Sequence, residues 1–289
     1  MAMAMMLAAC CVAIGDNEVE KMSAIGTRYW TRNLVAKLAD HNTFSVTHDL
    51  HLWTGLNVSE VRRGLLRIGP YSHQREHAYW SPNSPRELAA FYTNSISYLY
   101  GNAVHATDKI VTAYIKPSDA PVLDFSGGVG NNMLWLAERG IAAVYTGIAR
   151  AEFDFARFRA RRRGYTEPRA KGSAPLARFI EPYNLQDFEF DPLTALRSAE
   201  AYGCILALDV LEHIPHFERT VRKMVRAIRP GGCLCERSPF SGEQAIGGGQ
   251  DLRVHVGMGG VTMAEAMGPT MKMVWKEKGP YGKCWRKAS

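Results

Sequence analysis

From Pro121 to the C-terminus, short apolar runs alternate with amphipathic stretches. The apolar runs, each bounded by turn-forming residues, predict buried strands at Pro121–Phe125, Ala142–Ile148, Ala177–Pro182, Cys204–Leu208 and Gly232–Arg237. Between them, helical spacing of apolar positions predicts helices at Asn131–Glu138, Glu152–Arg163, Leu193–Ala201 and Phe217–Ile228. Strands separated by helices need crossover connections, so the pattern predicts an α/β fold with a doubly wound, mostly parallel sheet. The tail adds a helix at Thr262–Met267 and two strand-like runs, Met271–Glu277 and Lys283–Lys287. They flank Lys278-Gly279-Pro280-Tyr281-Gly282, which reads as a hairpin turn.

Upstream of residue 116 the character is different. Helical patterning runs from about residue 17, punctuated by Gly55, Gly69-Pro70 and Ser81–Pro85. Ser59 is the expected N-cap of one helix, and Pro85 sits at the first position of another. The division this suggests is an N-terminal helical cap over 1–115 and an α/β domain over 116–289. The apolar opening, Met1–Ile14, is too short to span a bilayer and no Lys or Arg precedes it. Leu7-Ala8-Ala9-Cys10 has the look of a lipoprotein cleavage box, but an ordinary terminal helix is the expectation. No other segment approaches transmembrane length.

Composition changes this picture little. The chain has 289 residues, a hydrophobic fraction of 46% and a formal charge of +7, which permits acidic partners without requiring them. Six cysteines lie at 10, 11, 204, 233, 235 and 284. Their spacing matches no zinc motif. Cys204, Cys233 and Cys235 fall in predicted strands and are expected to be buried thiols, in a reducing, cytoplasmic compartment.

Two segments carry chemistry. Val122-Leu123-Asp124-Phe125 runs into Ser126-Gly127-Gly128-Val129-Gly130 and then a helix opening at Asn131. A strand, glycine turn and helix in that order present free N–H groups at the carboxyl edge of a sheet, where open α/β sheets bind nucleotide-like ligands. The second segment, Asp209-Val210-Leu211-Glu212-His213, follows another buried strand at the same edge. Polar groups there cost desolvation unless something uses them. Downstream, Arg229-Pro230-Gly231-Gly232 stops a helix ahead of the next strand.

The ordered set VLDFSGGVG, LALDVLEHIP and IRPGG resembles the class I S-adenosylmethionine-dependent methyltransferases, specifically small-molecule enzymes with a DVLEH strand end. The resemblance covers about residues 121–287. It implies a Rossmann-like methyltransferase fold of seven strands, the last antiparallel, with S-adenosyl-L-methionine as cofactor. By position it places Asp124, Ser126, Gly127, Gly128, Gly130 and Asn131 around the methionine moiety. Asp209, Val210 and Glu212 fall beside cofactor and acceptor, Ile148 at the ribose edge, and Asp187 (or Asn184 or Gln186) near the adenine. His213 and His255 become candidate general bases, with His255 behind the flexible Gly247–Gly249 stretch. Tyr92 and Tyr98 become pocket-lining candidates, and Trp30, Trp53 and Trp80 could add apolar walls.

The chain departs from that family in two places. Ser126 replaces the first glycine of the turn and is expected to fit with a negative φ. Gly147 stands where the family carries an acid for the ribose hydroxyls, a contact worth roughly 1.5–3 kcal/mol. Glu152 could substitute, and Gly147→Asp should raise cofactor affinity if the contact is merely missing. The expected activity is methyl transfer to oxygen, nitrogen or carbon of a small-molecule acceptor, in secondary metabolism, by a chain free to form a homodimer. Arg157, Arg159, Arg161, Arg162, Arg163, Arg169, Lys171 and Arg178 leave an RNA methyltransferase open as an alternative. They read better as a solvated face, since few aromatics interleave for base stacking. Gly147 and Ser126 leave a non-catalytic binding protein open. The enzymatic reading fails if the two sheet ends lie on opposite rims, or if side chains fill the crevice between them.

Overall fold

The computed structural model describes residues 44–68, 96–103, 105–148, 150–170, 172–181, 193–214, 216–238, 261–277 and 282–289. These fall into two units. The smaller holds helices α1 (Val46–Thr54), α2 (Val58–Ile68) and α3 (Ile96–Ala103). Ser45 caps α1 through its hydroxyl, and Gly55 ends it in the left-handed conformation. α2 opens two positions earlier than its sequence suggests. Asn57, not Ser59, is the cap, and Asn57 and Glu60 exchange reciprocal side-chain bonds to each other's backbone N–H groups.

The larger unit is a seven-stranded sheet in the order β3-β2-β1-β4-β5-β7-β6. Its strands are β1 (Val122–Phe125), β2 (Ala143–Thr146), β3 (Ala177–Phe179), β4 (Tyr202–Leu208), β5 (Ile228–Arg237), β6 (Met271–Lys276) and β7 (Lys283–Lys287). Neighbours from β3 to β5 pair parallel, while β7 runs antiparallel to both β5 and β6. The helices are α4 (Lys109–Tyr114), α5 (Asn131–Glu138), α6 (Arg150–Arg162), α7 (Phe217–Ala227) and α8 (Met263–Met267).

Alternate residues of each strand serve opposite faces. Val122, Tyr145 and Leu206 pack with Met133 and Leu136 of α5 and with Phe153 and Ala160 of α6. Leu123, Ile205 and Leu234 pack with Phe217 and Val221 of α7 and with Met267 of α8. Helices therefore cover both faces, and the doubly wound Rossmann-like expectation holds. Each fully buried Leu, Ile or Phe contributes about 1.5–3 kcal/mol.

Two element boundaries are corrected. The helix predicted over Leu193–Ala201 is a single 3₁₀ turn at Thr194–Leu196. The Tyr202 hydroxyl donates to the Ala195 carbonyl, and the Glu200 N–H goes to Arg226, so the bonds a longer helix needs are already spent. β5 begins at Ile228, directly after α7, rather than at Gly232.

The four described cysteines are not free thiols. Cys204 is bonded to Cys233, and Cys235 to Cys284. Each pair consists of register partners on adjacent strands, and all four residues are fully buried. Disulfides persist in oxidising surroundings, so cysteine usage no longer argues for a reducing compartment. No helix among the described residues is long and apolar enough to cross a membrane.

Candidate functional site

The chain leaves β1 through Ser126 and enters α5 through the Gly127–Gly130 turn. Asp124 explains why the turn takes this path. Its carboxyl group is 2% exposed and accepts the Met133 N–H of the first turn of α5 at 3.1 Å. A Cβ on Gly127 would lie 2.3 Å from Asp124 Oδ2, so only glycine fits there. Burial raises the Asp124 pKa to about 7, against the lowering by the Met133 N–H and aided by the nearby Asp108 charge.

Ser126 has φ +59°, contrary to the expected negative value. Its N–H is held by the Thr146 carbonyl at 2.9 Å, which fixes this strained conformation at a cost on the order of 1 kcal/mol. Behind the turn, buried Arg159 donates from Nη1 to the Val129 carbonyl (2.8 Å) and to Asn131 Oδ1 (2.7 Å). Asn131 thus braces the loop from behind.

The end of β2, where the resemblance implies an acid for the ribose, is built around a tyrosine instead. Tyr145 on β2 is fully buried, and its hydroxyl donates to the Gly128 carbonyl. Burial, then the charges of Glu152 and Asp124, push its pKa further up, so the phenol stays protonated and donating. A Cβ at Gly147 would lie 2.9 Å from Tyr145 Oη. Glycine at 147 is therefore what allows the tyrosine to reach the turn. Glu152 is 5% exposed on α6, and Ile148 follows Gly147 at the same strand end.

β4 ends beside β1 as its parallel partner. Asp209 follows with φ +54°, its N–H on the Arg237 carbonyl, and leads into the 3₁₀ turn Leu211–His213. Val210 and Glu212 are buried. Glu212 is 1% exposed, and burial, then Asp209, raise its pKa well above the carboxylate range. The nearby Ser238 hydroxyl and the Arg237 charge act against this rise without overcoming it. His213 Nε2 lies 3.9 Å from Glu212 Oε1.

The two sheet ends therefore meet at one rim, on strands β1 and β4, where the strand order reverses; this switch point is where doubly wound sheets bind ligands. Asp108 and Arg237, missed from sequence, complete the rim. Arg237 at the end of β5 pairs with both Asp209 and Asp108. Asp108 caps α4 and takes Asn132 Oδ1 on its own N–H at 2.9 Å. The Ser/Thr/Asp-type cap before Lys109 was the available signal.

Asp187, with Asn184 and Gln186, His255 with Gly247–Gly249, Tyr92, Trp30 and Trp80 lie outside the described residues. So do the first 43 residues, the Pro85 helix start and the turn residues 278–281. Tyr98 is described only as part of α3.

The sequence of residues 97–248, more than half the chain, matches the family model of the methyltransferase domain. The chain belongs to that family, which implies use of S-adenosylmethionine. No curated protein matches the sequence. Among solved structures, a SAM-dependent methyltransferase from Methanosarcina mazei is 13% identical over 64% of this chain and 99% of its own, with a TM-score of 0.40. The PH0226 protein from Pyrococcus horikoshii is 16% identical over 57% and 81%, also at 0.40. The 4+2 cyclase SpnF is 19% identical over 40% of this chain, at 0.31, and the chain spans only 38% of its length. Likenesses this distant and partial carry no argument about function.

Two outcomes follow from the site. Asp124 titrates near 7 when folded and near 3.8 when unfolded. Its contribution is therefore fullest below about pH 4 and is lost as pH rises to about 7, by up to about 4 kcal/mol. Asp124→Asn, neutral throughout, should gain stability over wild type across that window. Denaturant melts of both proteins at pH 4, 5.5 and 7 read the difference; parallel curves would contradict the assignment.

Gly147→Asp should lower both cofactor affinity and stability, the latter by about 1–3 kcal/mol, because Tyr145 is driven off Gly128. Gly147→Ala isolates the steric part. Tighter S-adenosylhomocysteine binding by the aspartate variant would show the ribose contact to be merely missing.

Proposed function

We propose that this protein transfers the methyl group of S-adenosylmethionine to oxygen, nitrogen or carbon of a small-molecule acceptor, in secondary metabolism. The observation carrying this reading is the meeting of Ser126–Gly130 and Asp209–His213 at the β1/β4 switch point. The charge at this rim supports a sulfonium nucleoside as the ligand. Asp108 and Asp209 outnumber the single guanidinium between them, which favours a cationic group. The Met133 N–H is already taken by Asp124, so the helix start is less suited to phosphate.

When bound, the cofactor supplies an activated methyl group on sulfur. The protein's part is to hold the acceptor atom in line with it and to keep water out. His213, 8% exposed, is the described candidate to take a proton from a hydroxyl or amine acceptor.

The arginine-rich stretch supports a small-molecule rather than an RNA acceptor. Arg157 pairs with Asp154 and Glu181, Arg150 pairs with the same two acids, and Arg159 is buried behind the turn. Arg162 and Arg169 lie over Phe158 and Tyr165.

Calorimetric titration with S-adenosylhomocysteine should give micromolar-range binding, and a labelled-methyl screen of small acceptors should find a product. No heat at millimolar ligand would instead favour a non-catalytic member of the family, built around Tyr145 and Gly147.

A further inference from the structure

Arg237 spans the place where a ligand would enter. Its Nε and Nη2 donate to Asp209 Oδ1 (2.9 Å) and Oδ2 (2.5 Å), a bidentate fork, while Nη1 pairs with Asp108 Oδ2. The two carboxylates belong to different sides of the crevice. Asp209 follows β4. Asp108 is tied to the β1 side through Asn132 of α5, close enough for its charge to be felt by Asp124. A side chain from β5 therefore closes a bridge across the switch point of the sheet, over β4.

The bridge is accessible and carries an excess of negative charge. Side-chain exposure is 47% at Asp209, 29% at Arg237 and 11% at Asp108. Two carboxylates face one guanidinium. The neighbouring acids, Asp124 and Glu212, are held towards their neutral forms by burial and contribute little opposing demand. A neutral or anionic ligand displacing the guanidinium would leave carboxylates unpaired, which is costly. A cationic ligand group replaces like with like.

We propose that Arg237 is the resident counter-ion of an Asp108–Asp209 cation site, and that the ammonium and sulfonium groups of the cofactor bind by taking these carboxylates from it. This rests on the methyltransferase reading above. Asp108 and Asp209 are then cofactor-binding residues, and Arg237 determines specificity by admitting only ligands that carry positive charge. The exchange also reverses with the chemistry. As the sulfur–methyl bond breaks and the acceptor–methyl bond forms, the bonding pair stays on sulfur and the sulfonium becomes a neutral thioether. The ligand then holds one positive charge fewer, and Arg237 competes better for its carboxylates, which favours product release.

The opposite possibility is a permanent clamp, in which Arg237 braces the rim and never moves. Calorimetry at fixed ionic strength with S-adenosylmethionine and S-adenosylhomocysteine separates the two. Arg237→Gln should tighten binding of the sulfonium cofactor by about tenfold, with Arg237→Lys between it and wild type, since lysine keeps the charge but loses the fork. Unchanged or weaker binding by a folded Arg237→Gln protein overturns the exchange and leaves the clamp. If that variant does not fold, Arg237→Lys decides: tighter binding supports exchange, equal or weaker binding overturns it. If neither wild type nor variant binds either ligand at millimolar concentration, the methyltransferase reading itself falls, and this inference with it.

Discussion

The buried carboxyl group of Asp124 is the constraint on which the shape of the site depends. It lies under the turn that leaves β1, takes an N–H from the first turn of α5, and occupies the volume that any side chain at residue 127 would need. Acid and glycine are thus one physical unit. Together they turn the chain sharply between β1 and α5, with Ser126 at a positive φ. Burial outweighs both the helix end and the N–H in setting the state of this acid, so the turn is floored by a group poised to be neutral near pH 7. A nucleotide-type loop built this way spends one of its own anion-binding donors, which suits a ligand without phosphate.

Around this floor the neighbouring strands supply complementary parts. Tyr145 secures the Gly128 carbonyl from β2, and Arg159 secures the Val129 carbonyl from α6, so two successive carbonyls of the turn are pinned by different elements. On the other side the end of β4 turns through Asp209 in a left-handed conformation, presenting its carboxylate outward to Arg237. Pinned backbone on one wall thus faces an ion-paired, partly exposed charge on the other. Below, two disulfides tie β4, β5 and β7 together within the core. The strands that carry Asp209 and Arg237 are therefore linked covalently as well as by their ladder.

Much of this was legible in the sequence, for identifiable reasons. Each parallel strand is a run of apolar residues buried on both faces, so its position shows without knowledge of its partners. The Asp-x-x-Gly turn and the Asp-Val-Leu-Glu-His end show because polar and glycine residues interrupt such runs. What stayed hidden depends on distant partners. The four cysteines pair through strand register, and the register of β7 on β5 is set by tertiary packing rather than by spacing. The φ of Ser126 is fixed by Thr146, twenty positions away. Gly147 looked like the loss of an acid because the residue that uses its space, Tyr145, reads in sequence as an ordinary strand aromatic. Asp108 read as part of the helical cap, and its partner Arg237 as the last residue of a strand. Their pairing is visible only once β1, β4 and β5 lie side by side.

The most direct test is hydrogen–deuterium exchange of the whole chain with and without saturating S-adenosylhomocysteine. If the two sheet ends hold the cofactor together, amides in 126–134 and in 209–213 should slow in concert, with the same ligand dependence. Protection confined to one of these stretches, or absent from both while ligand is bound elsewhere, would contradict a site formed between β1 and β4.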